Sequence, residues 1–188
     1  MKIDEYLNWF KADSAAVSSA MPPGSILCRN AGEILEMVLS YASDALVFNE
    51  QGDFVNAFAA ASYGYGWMDA GLDLGFIAGR EPAPIPTLEN TIPENLREHL
   101  EEKTARYQRM LTEALAGIKI APDEGSVMYL AADNICRLAD RHLQAGSLLI
   151  DSDKVNALSL ISYGYGWLDC GVRSGLFQIT GNRHLFTI

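Results

Sequence analysis

The sequence contains few of the residues that usually carry metal sites or nucleophilic catalysis. It has three cysteines and three histidines: Cys28, Cys136, Cys170, His99, His142 and His184. No two histidines are four residues apart and no Cys-x-x-Cys motif occurs, so the spacing gives no support to a metal site. Serine and cysteine nucleophile motifs are missing as well. We therefore predict no metal and no cofactor, and the pattern favours a protein that is not an enzyme.

Long apolar runs and basic clusters are missing too. No segment approaches the roughly 20 uninterrupted apolar residues that a membrane-spanning helix needs, and the charged start Met1–Glu5 does not resemble a signal peptide. The formal net charge is −10, which repels phosphate backbones and disfavours nucleic-acid binding. The odd, widely separated cysteines fit reduced thiols. We therefore predict a cytoplasmic protein that binds neither membranes nor nucleic acid.

What the sequence does contain is an internal duplication. The hexapeptide Ser62–Trp67 recurs, letter for letter, at Ser162–Trp167. The match extends from Asp53–Gly75 to Asp153–Gly175, with 13 identities in 23 aligned positions and no gap. Chance does not produce such a match, so the two copies are versions of one structural unit.

Apolar periodicity predicts three helices in each copy, and hence an all-α fold in which two tandem three-helix bundles pack as a pseudo-dimer. The predicted parts are a first repeat at residues 1–80, a proline-rich linker at 81–93 and a second repeat at 94–188. Thr91 and Glu94 have the spacing of a capping box for the helix that follows the linker. The alternation of apolar and polar residues from Leu176 onward predicts a hairpin or an extended tail.

Helix starts and core positions can be placed within this frame. We expect helices to begin at Asp53, Ser126 and Asp153, whose side chains are suited to capping a helix N-terminus. In the helix after Ser126, the predicted inward positions are Leu130, Ile135, Leu138 and Leu143. The third helix of each copy has few positions suited to water, so we expect it to be the central helix of its bundle.

The two central helices are rich in glycine, although glycine costs roughly 1 kcal/mol relative to alanine inside a helix. Four glycines recur in both copies: Gly64, Gly66, Gly71 and Gly75, with Gly164, Gly166, Gly171 and Gly175. Their retention predicts that a neighbouring backbone approaches closely. We therefore assign a structural role to the small and aromatic positions Tyr63, Gly64, Trp67, Gly71, Tyr163, Gly164, Trp167 and Gly171.

Asp69 and Asp169 are the best candidate functional acids, because both copies keep an acid on the central helix. One interpretation is a polar pocket that binds a ligand or assists acid–base chemistry, together with the Ser62 and Tyr65 stripe. Its candidate ligand-binding residues are Asn56, Tyr65, Asp69, Asn156, Tyr165 and Asp169. The other interpretation, which we favour, is a pair of buried carboxylates that specify packing and are satisfied by tyrosine hydroxyls or helix N-termini. Arg173, four residues after Asp169, is a further candidate partner of that acid.

A third interpretation starts from the run Arg137–His142. An arginine, four intervening residues and a histidine resemble the short signature of HEPN ribonucleases, which are also helical. The pattern is common by chance, and Met37 and Ala42 stand at the equivalent positions of the first copy. An acidic chain is also a poor host for RNA. We therefore rank this interpretation last.

Two segments of the first copy, Tyr41–Ala57 and Ser62–Gly71, resemble an archaeal family known as "domain of unknown function 357". In that family, a D-A-x-x-F-x-x-x-G-D-x-x-x-A segment precedes a Y-A-x-G-x-L-D-A helix. The second copy is similar from Arg109 through Ile188, except that Gln144 stands in place of Asp44. The resemblance implies a three-helix bundle per copy and an archaeal, cytoplasmic setting, and it implies no activity.

The leading hypothesis is a non-enzymatic scaffold or protein-interaction module, since the repeated positions have the character of packing residues. We expect a protein partner, and the duplicated architecture is compatible with a homo-oligomer. The first alternative is a small-molecule-binding or hydrolytic protein that uses the Ser/Tyr/Asp stripe of the central helices. The second is the ribonuclease that would use Arg137 and His142.

If the tryptophans of the central helices are packing residues, truncating one of them removes a large part of the core. Trp67→Ala should then lower the free energy of unfolding by roughly 3–5 kcal/mol, the range typical of large core truncations. Thermal or denaturant unfolding measures the change, and an unaltered melting temperature would refute the packing role.

Overall fold

Three helices form in each half of the chain. The computed structural model describes residues 1–81 and 83–187, so Pro82 of the predicted linker and Ile188 of the predicted tail lie outside the described residues. Within the described ranges lie six α-helices: α1 Ile3–Ala16, α2 Ile26–Glu50, α3 Phe54–Asp73, α4 Arg97–Ala116, α5 Val127–Leu149 and α6 Lys154–Arg173. The prediction of an all-α fold made of two three-helix units is confirmed. The boundaries of the repeats and linker stay predictions.

Side-chain caps start the second and third helices of each repeat. The Ser25 hydroxyl accepts the Cys28 amide at the start of α2, and Ser126 does the same for Tyr129 at the start of α5. The carboxylates of Asp53 and Asp153 accept amides two residues into α3 and α6. Each cap satisfies an amide that has no partner within its helix. The predicted caps at Asp53, Ser126 and Asp153 are confirmed.

The predicted capping box at Thr91 and Glu94 is wrong. A 3-10 turn at Glu94–Leu96 precedes α4, and Pro93, which flanks the turn, provides no side-chain cap. The Thr91 amide donates to the carbonyl oxygen of Glu89 at 2.9 Å, so Thr91 belongs to a turn in the connecting segment. The helix therefore begins later, at Arg97.

The predicted inward position at Leu130 is also wrong, because its side chain is 61% exposed. The buried face of α5 includes Ala132, Ile135, Ala139 and Leu143. At about 100° per residue, Leu130 lies about 140° around the helix from Ile135 and so points away from that face.

One short antiparallel ladder joins helix ends within each repeat. β1, Ser18–Ser19, pairs with β2, Ile77–Ala78, and β3, Ile118–Ile120, pairs with β4, Phe177–Ile179. Each ladder connects the segment after the first helix of a repeat to the segment after its third helix. The segment that follows α6 is therefore not a hairpin. It is extended at β4 and continues into a 3-10 turn at Arg183–Leu185.

The central helices α3 and α6 cross at their glycines. A Cβ added to Gly66 would lie 2.9 Å from the Cα of Gly166 and would clash with the carbonyl oxygen of Tyr163. A Cβ added to Gly166 would meet Gly66 and the carbonyl oxygen of Tyr63 in the same way. Glycine is therefore required for this approach, and the predicted close contact of backbones is confirmed at this pair.

The other repeated glycines of the first copy are required by different local features. A Cβ at Gly64 would meet the side chains of Phe10 and Tyr41, and one at Gly71 would meet Ile34. These are side-chain contacts, so the prediction of a backbone neighbour is wrong there. It is also wrong for Gly75, which has open space around it and a φ of +73°. That glycine ends α3 in the left-handed conformation.

The crossing leaves the central helices enclosed on all sides. Every residue from Ala61 to Gly71 in α3 and from Ile161 to Val172 in α6 is buried. Trp67 is 0% exposed and Trp167 is 5% exposed. The remaining helices cover this pair, so the core of the protein runs continuously through both repeats.

The crossing predicts unequal effects for two glycine-to-alanine changes. Gly66→Ala should lower the free energy of unfolding by about 1–3 kcal/mol or more, since the methyl group forces two packed backbones apart. Gly32→Ala is the matched control, because it lies in α2 with no atom within 4 Å of the added Cβ. It should stabilise the protein by up to about 1 kcal/mol through helix propensity. Urea unfolding of both variants tests this, and equal effects would contradict the assigned role of the crossing.

Candidate functional site

Each buried aspartate accepts a hydrogen bond from a tyrosine of the other repeat. The hydroxyl of Tyr163 donates to Asp69 at 2.8 Å, and the hydroxyl of Tyr63 donates to Asp169. Both aspartates are 1% exposed. Because α3 and α6 cross so closely, each hydroxyl reaches the neighbouring helix. The arrangement satisfies two buried carboxyls across the boundary between repeats.

The second partner of each aspartate differs. Arg80, in the segment after β2, donates to Asp69 at 3.2 Å and lies 3.6 Å from Asp13 of α1. Asp169 instead accepts the main-chain amide of Thr187, at 3.0 and 3.2 Å from its two oxygens. One site is therefore completed by a charged side chain and the other by a peptide group.

The predicted pairing of Arg173 with Asp169 is wrong. The Arg173 Nε donates to Glu33 of α2 at 2.9 Å, because the end of α6 lies beside the start of α2. The Asp169 carboxyl is turned the other way, toward Tyr63 and Thr187.

The predicted Ser/Tyr/Asp stripe does not converge on one point. The Ser62 hydroxyl bonds to Tyr6 and Ser159 inside the core, away from Asp69. The hydroxyl of Tyr65 donates to Asp13 at 2.9 Å, and that of Tyr165 donates to the carbonyl oxygen of Leu185. Burial raises the pKa of both tyrosines. They are therefore neutral donors at neutral pH.

The predicted site residues Asn56 and Asn156 lie at the starts of α3 and α6 and form hydrogen bonds with different neighbours. Asn156 binds the main chain of Leu88 on both sides, accepting its amide at 2.7 Å and donating to its carbonyl oxygen at 2.8 Å. Asn56 instead accepts a hydrogen bond from the Lys103 amine. Both also donate to the aspartate that caps their helix. Asn156 therefore anchors the connecting segment.

A cavity of about 280 Å³, here called the Asp69 cavity, lies beside the first of these aspartates. Its lining residues are Trp9, Asp13, Tyr65, Asp69, Arg80, Ala83, Pro84, Ile85, Pro86 and Tyr163. Burial raises the pKa of Asp69 to about 6, although the Tyr163 hydroxyl and the Arg80 guanidinium both act to lower it. The guanidinium also lies over the Tyr65 ring, 5.5 Å from its centre.

A second cavity of about 400 Å³, here called the Lys103 cavity, lies beside the segment that follows β4. Its lining residues are Tyr41, Asp44, Phe48, Asn56, Ala60, Tyr63, Lys103, Tyr107, Met110, Tyr165, His184, Leu185, Phe186 and Thr187. Burial lowers the pKa of Lys103 to about 8. Its amine lies 4.7 Å from the centre of the Tyr107 ring.

The two residues of the ribonuclease interpretation are not brought together. Arg137 is an exposed side chain that bonds to Asp133 at 3.0 Å. His142 packs edge-on against the ring of Tyr163, and its Nδ1 lies 2.8 Å from the carbonyl oxygen of Leu138. Burial lowers the pKa of His142. The two positions are about 140° apart around α5, so they face different surroundings.

Sequence reasoning missed Trp9, Asp13 and Arg80, the charged and aromatic residues of the Asp69 cavity beyond Tyr65, Asp69 and Tyr163, and it missed the apolar wall from the connecting segment. Trp9 and Asp13 are four residues apart on α1, a spacing that places them on one helix face and was the available signal. Arg80 gave no signal, because it lies in an irregular segment and Thr180 stands at its position in the second copy. Repetition in the sequence therefore identifies Asp69 and its partner Tyr163 but not Arg80.

Metal and membrane features can be stated for the described part of the chain. Residues 1–81 and 83–187 contain no group of three or more histidine, cysteine, aspartate and glutamate side chains arranged to hold a metal ion. No helix within these ranges is long and apolar enough to cross a membrane. The three cysteines are free, and burial raises the pKa of Cys136 to about 11.

The fold and its paired sites define a duplicated helical protein in which each repeat completes a buried acid of the other. The chain belongs to the family described as "protein of unknown function" (DUF357), whose sequence profile matches residues 5–77 and 106–177. One match falls in each half, as expected for two tandem copies. No curated protein and no solved structure matches the chain. The archaeal origin and the cytoplasmic location stay predictions.

The raised pKa of Asp69 predicts a pH-dependent stability. Folding raises this pKa from 3.8 to about 6, so the carboxyl stabilises the fold in its protonated form. The contribution is complete below about pH 4 and is lost as the pH rises through about 6, a change on the order of 3 kcal/mol. Asp69→Asn should remove this part of the pH dependence while keeping an acceptor for Tyr163.

Denaturant unfolding of the wild type and of Asp69→Asn between pH 4 and 7 measures the difference. Asp123→Asn, at an exposed position before α5, controls for the change in net charge. Identical pH profiles for the wild type and Asp69→Asn would contradict the assignment.

Proposed function

We propose that the chain is a non-enzymatic binding protein that holds a small organic cation in the Asp69 cavity. The observation that carries the proposal is the lining of this cavity, which combines two carboxylates, one guanidinium and an aromatic wall. When Asp69 is ionised, the three charges of the lining sum to −1. A cation is therefore attracted more strongly than a neutral molecule or an anion.

The position of Arg80 supports this choice of ligand. Its guanidinium lies between Asp13 and Asp69 and over the ring of Tyr65, an arrangement that favours positive charge. The side chain of Asp13 is 36% exposed, so it retains room for a second cation. The ligand's ammonium group would bind Asp13, and its apolar body would pack on Trp9 and Ile85.

The lining of the Asp69 cavity does not favour catalysis. No serine, cysteine or histidine stands among the described residues of the Asp69 cavity. The Tyr163 hydroxyl already donates to Asp69, and burial raises the pKa of this tyrosine. The hydrolytic alternative also loses its serine, because Ser62 bonds within the core. These features support binding without chemistry.

A protein-interaction module is the second candidate. It is favoured by the segment after β4, which crosses over the central helices and binds them largely through its main chain.

Matched ligands test the proposed cation site. Wild-type protein should bind 2-phenylethylamine more tightly than 2-phenylethanol or phenylacetate in isothermal titration calorimetry, since only the amine is positively charged. Asp13→Asn should weaken amine binding at least about tenfold, because a hydrogen bond to a charged group contributes about 1.5–3 kcal/mol.

Glu113→Gln is the control, because it removes the same charge at the equivalent position of the second repeat. It should leave amine binding unchanged. Equal binding of the three compounds, or equal losses in the two variants, would exclude the proposed ligand class.

A further inference from the structure

The segment after β4 forms a 3-10 turn at Arg183–Leu185 and then crosses the central helices as extended backbone from Phe186. Residues 183–187, here called the strap, follow α6 of the second repeat. The side-chain hydroxyl of Thr187 lies 3.3 Å from the hydroxyl of Tyr63 on α3 of the first repeat. Phe186 has φ −109° and ψ 140°, which is extended backbone. The strap therefore touches both copies.

The strap is bound mainly through its peptide groups. The carbonyl oxygen of Leu185 accepts the hydroxyl of Tyr165, and the amide of Thr187 donates to both oxygens of Asp169. Between them, the Phe186 side chain is 7% exposed and packs in the core. Main-chain hydrogen bonds on either side of one buried anchor are a recurring mode of peptide recognition.

The strap fills only part of the space available to it. The Lys103 cavity continues beside it with about 400 Å³ unfilled. Its wall combines apolar surface at Phe48 and Met110 with the charged groups of Asp44 and Lys103. A longer segment seated in the same place would gain contacts that the strap does not make.

The chain is fixed as far as Gly181, because the amides of Thr180 and Gly181 donate to the carbonyl oxygen of Gly117 at 2.8 and 3.2 Å. The strap's neighbour Asn182 has a left-handed φ of 54°, and Arg183 and His184 are exposed. The pairing of β4 with β3 ends at Ile179. Opening the strap therefore exposes the buried Phe186 and the half-buried Leu185. It breaks the hydrogen bonds to Tyr63, Tyr165 and Asp169 and leaves those at Gly117 in place.

We propose that the surface beneath the strap is a peptide-binding site, occupied in this structure by the chain's own residues 183–187. The partner that fits it is an extended protein segment with an aromatic anchor, flanked by peptide groups that bind Tyr165 and Asp169. The inference deepens the second candidate function and is independent of cation binding in the Asp69 cavity. In the first repeat, the Arg80 guanidinium takes the place of the Thr187 amide, so only one repeat offers this site.

A peptide supplied in trans tests the proposal. The full chain carrying Phe186→Ala and Thr187→Pro has lost the anchor and the amide of its own strap. This variant should bind a fluorescent peptide of the sequence 181–188 at least about tenfold more tightly than the wild type, in which the tethered strap competes. Adding Asp169→Asn should weaken that binding about tenfold, as should replacing the phenylalanine of the peptide by alanine. Binding no tighter than wild type by a cooperatively folded variant would overturn the proposal.

Hydrogen exchange of the wild type gives a second test that does not depend on the variant folding. If the strap is a displaceable ligand, the Thr187 amide should exchange at least about a hundredfold faster than the amides of α3. Exchange as slow as that of α3 would mean that the strap opens only when the protein unfolds, and would overturn the proposal.

Discussion

The contact between Gly66 and Gly166 is the constraint on which the rest of the structure depends. It brings two helices with buried middle turns close enough for a tyrosine of each to reach the aspartate of the other. A side chain at either glycine would separate the helices and lengthen both hydrogen bonds. The packing of the core and the satisfaction of its two acids therefore depend on the same pair of residues. Each repeat supplies the tyrosine that binds the buried aspartate of the other repeat, which explains why the two repeats form one body.

Duplication left the two sites alike at their centre and different at their rim. Asp69 and Asp169 each have a tyrosine partner, but one is completed by a guanidinium and the other by a peptide amide. The difference arises in the segments that follow β2 and β4, where the two copies no longer resemble each other. It gives the first site a lining with two carboxylates and one guanidinium, and the second site a main-chain segment bound at its acid. The proposed cation site and the proposed peptide site both rest on this difference. The tyrosine–aspartate bonds support the fold, and the second partner of each aspartate provides the chemistry by which the two sites differ.

The sequence predicted well those features that both copies encode locally. Caps at Asp53 and Asp153, the enclosed central helices and the approach at Gly66 all follow from patterns within a few residues of one another. The second partners of the acids did not follow, because Arg80 and Thr187 reach them from irregular segments whose course no periodicity specifies. Gly75 shows the limit of an argument from repetition. It recurs because the helix ends on a residue in the left-handed conformation, and a repeated glycine looks the same in the sequence whether it serves this purpose or close packing. Leu130 shows a second limit, since an apolar residue near a helix start need not lie on the buried face.

The bond between Asn156 and Leu88 has a consequence for how the chain can vary. The side chain of Asn156 accepts the amide of Leu88 and donates to its carbonyl oxygen, and these main-chain groups are the same whichever residue carries them. The stretch between Arg80 and Leu88 is thus pinned at both ends, by an ion pair and by an amide clamp. A substitution inside this stretch leaves both anchors in place, whereas an insertion or deletion would pull one of them out of register. The length of the stretch is therefore fixed by its two ends.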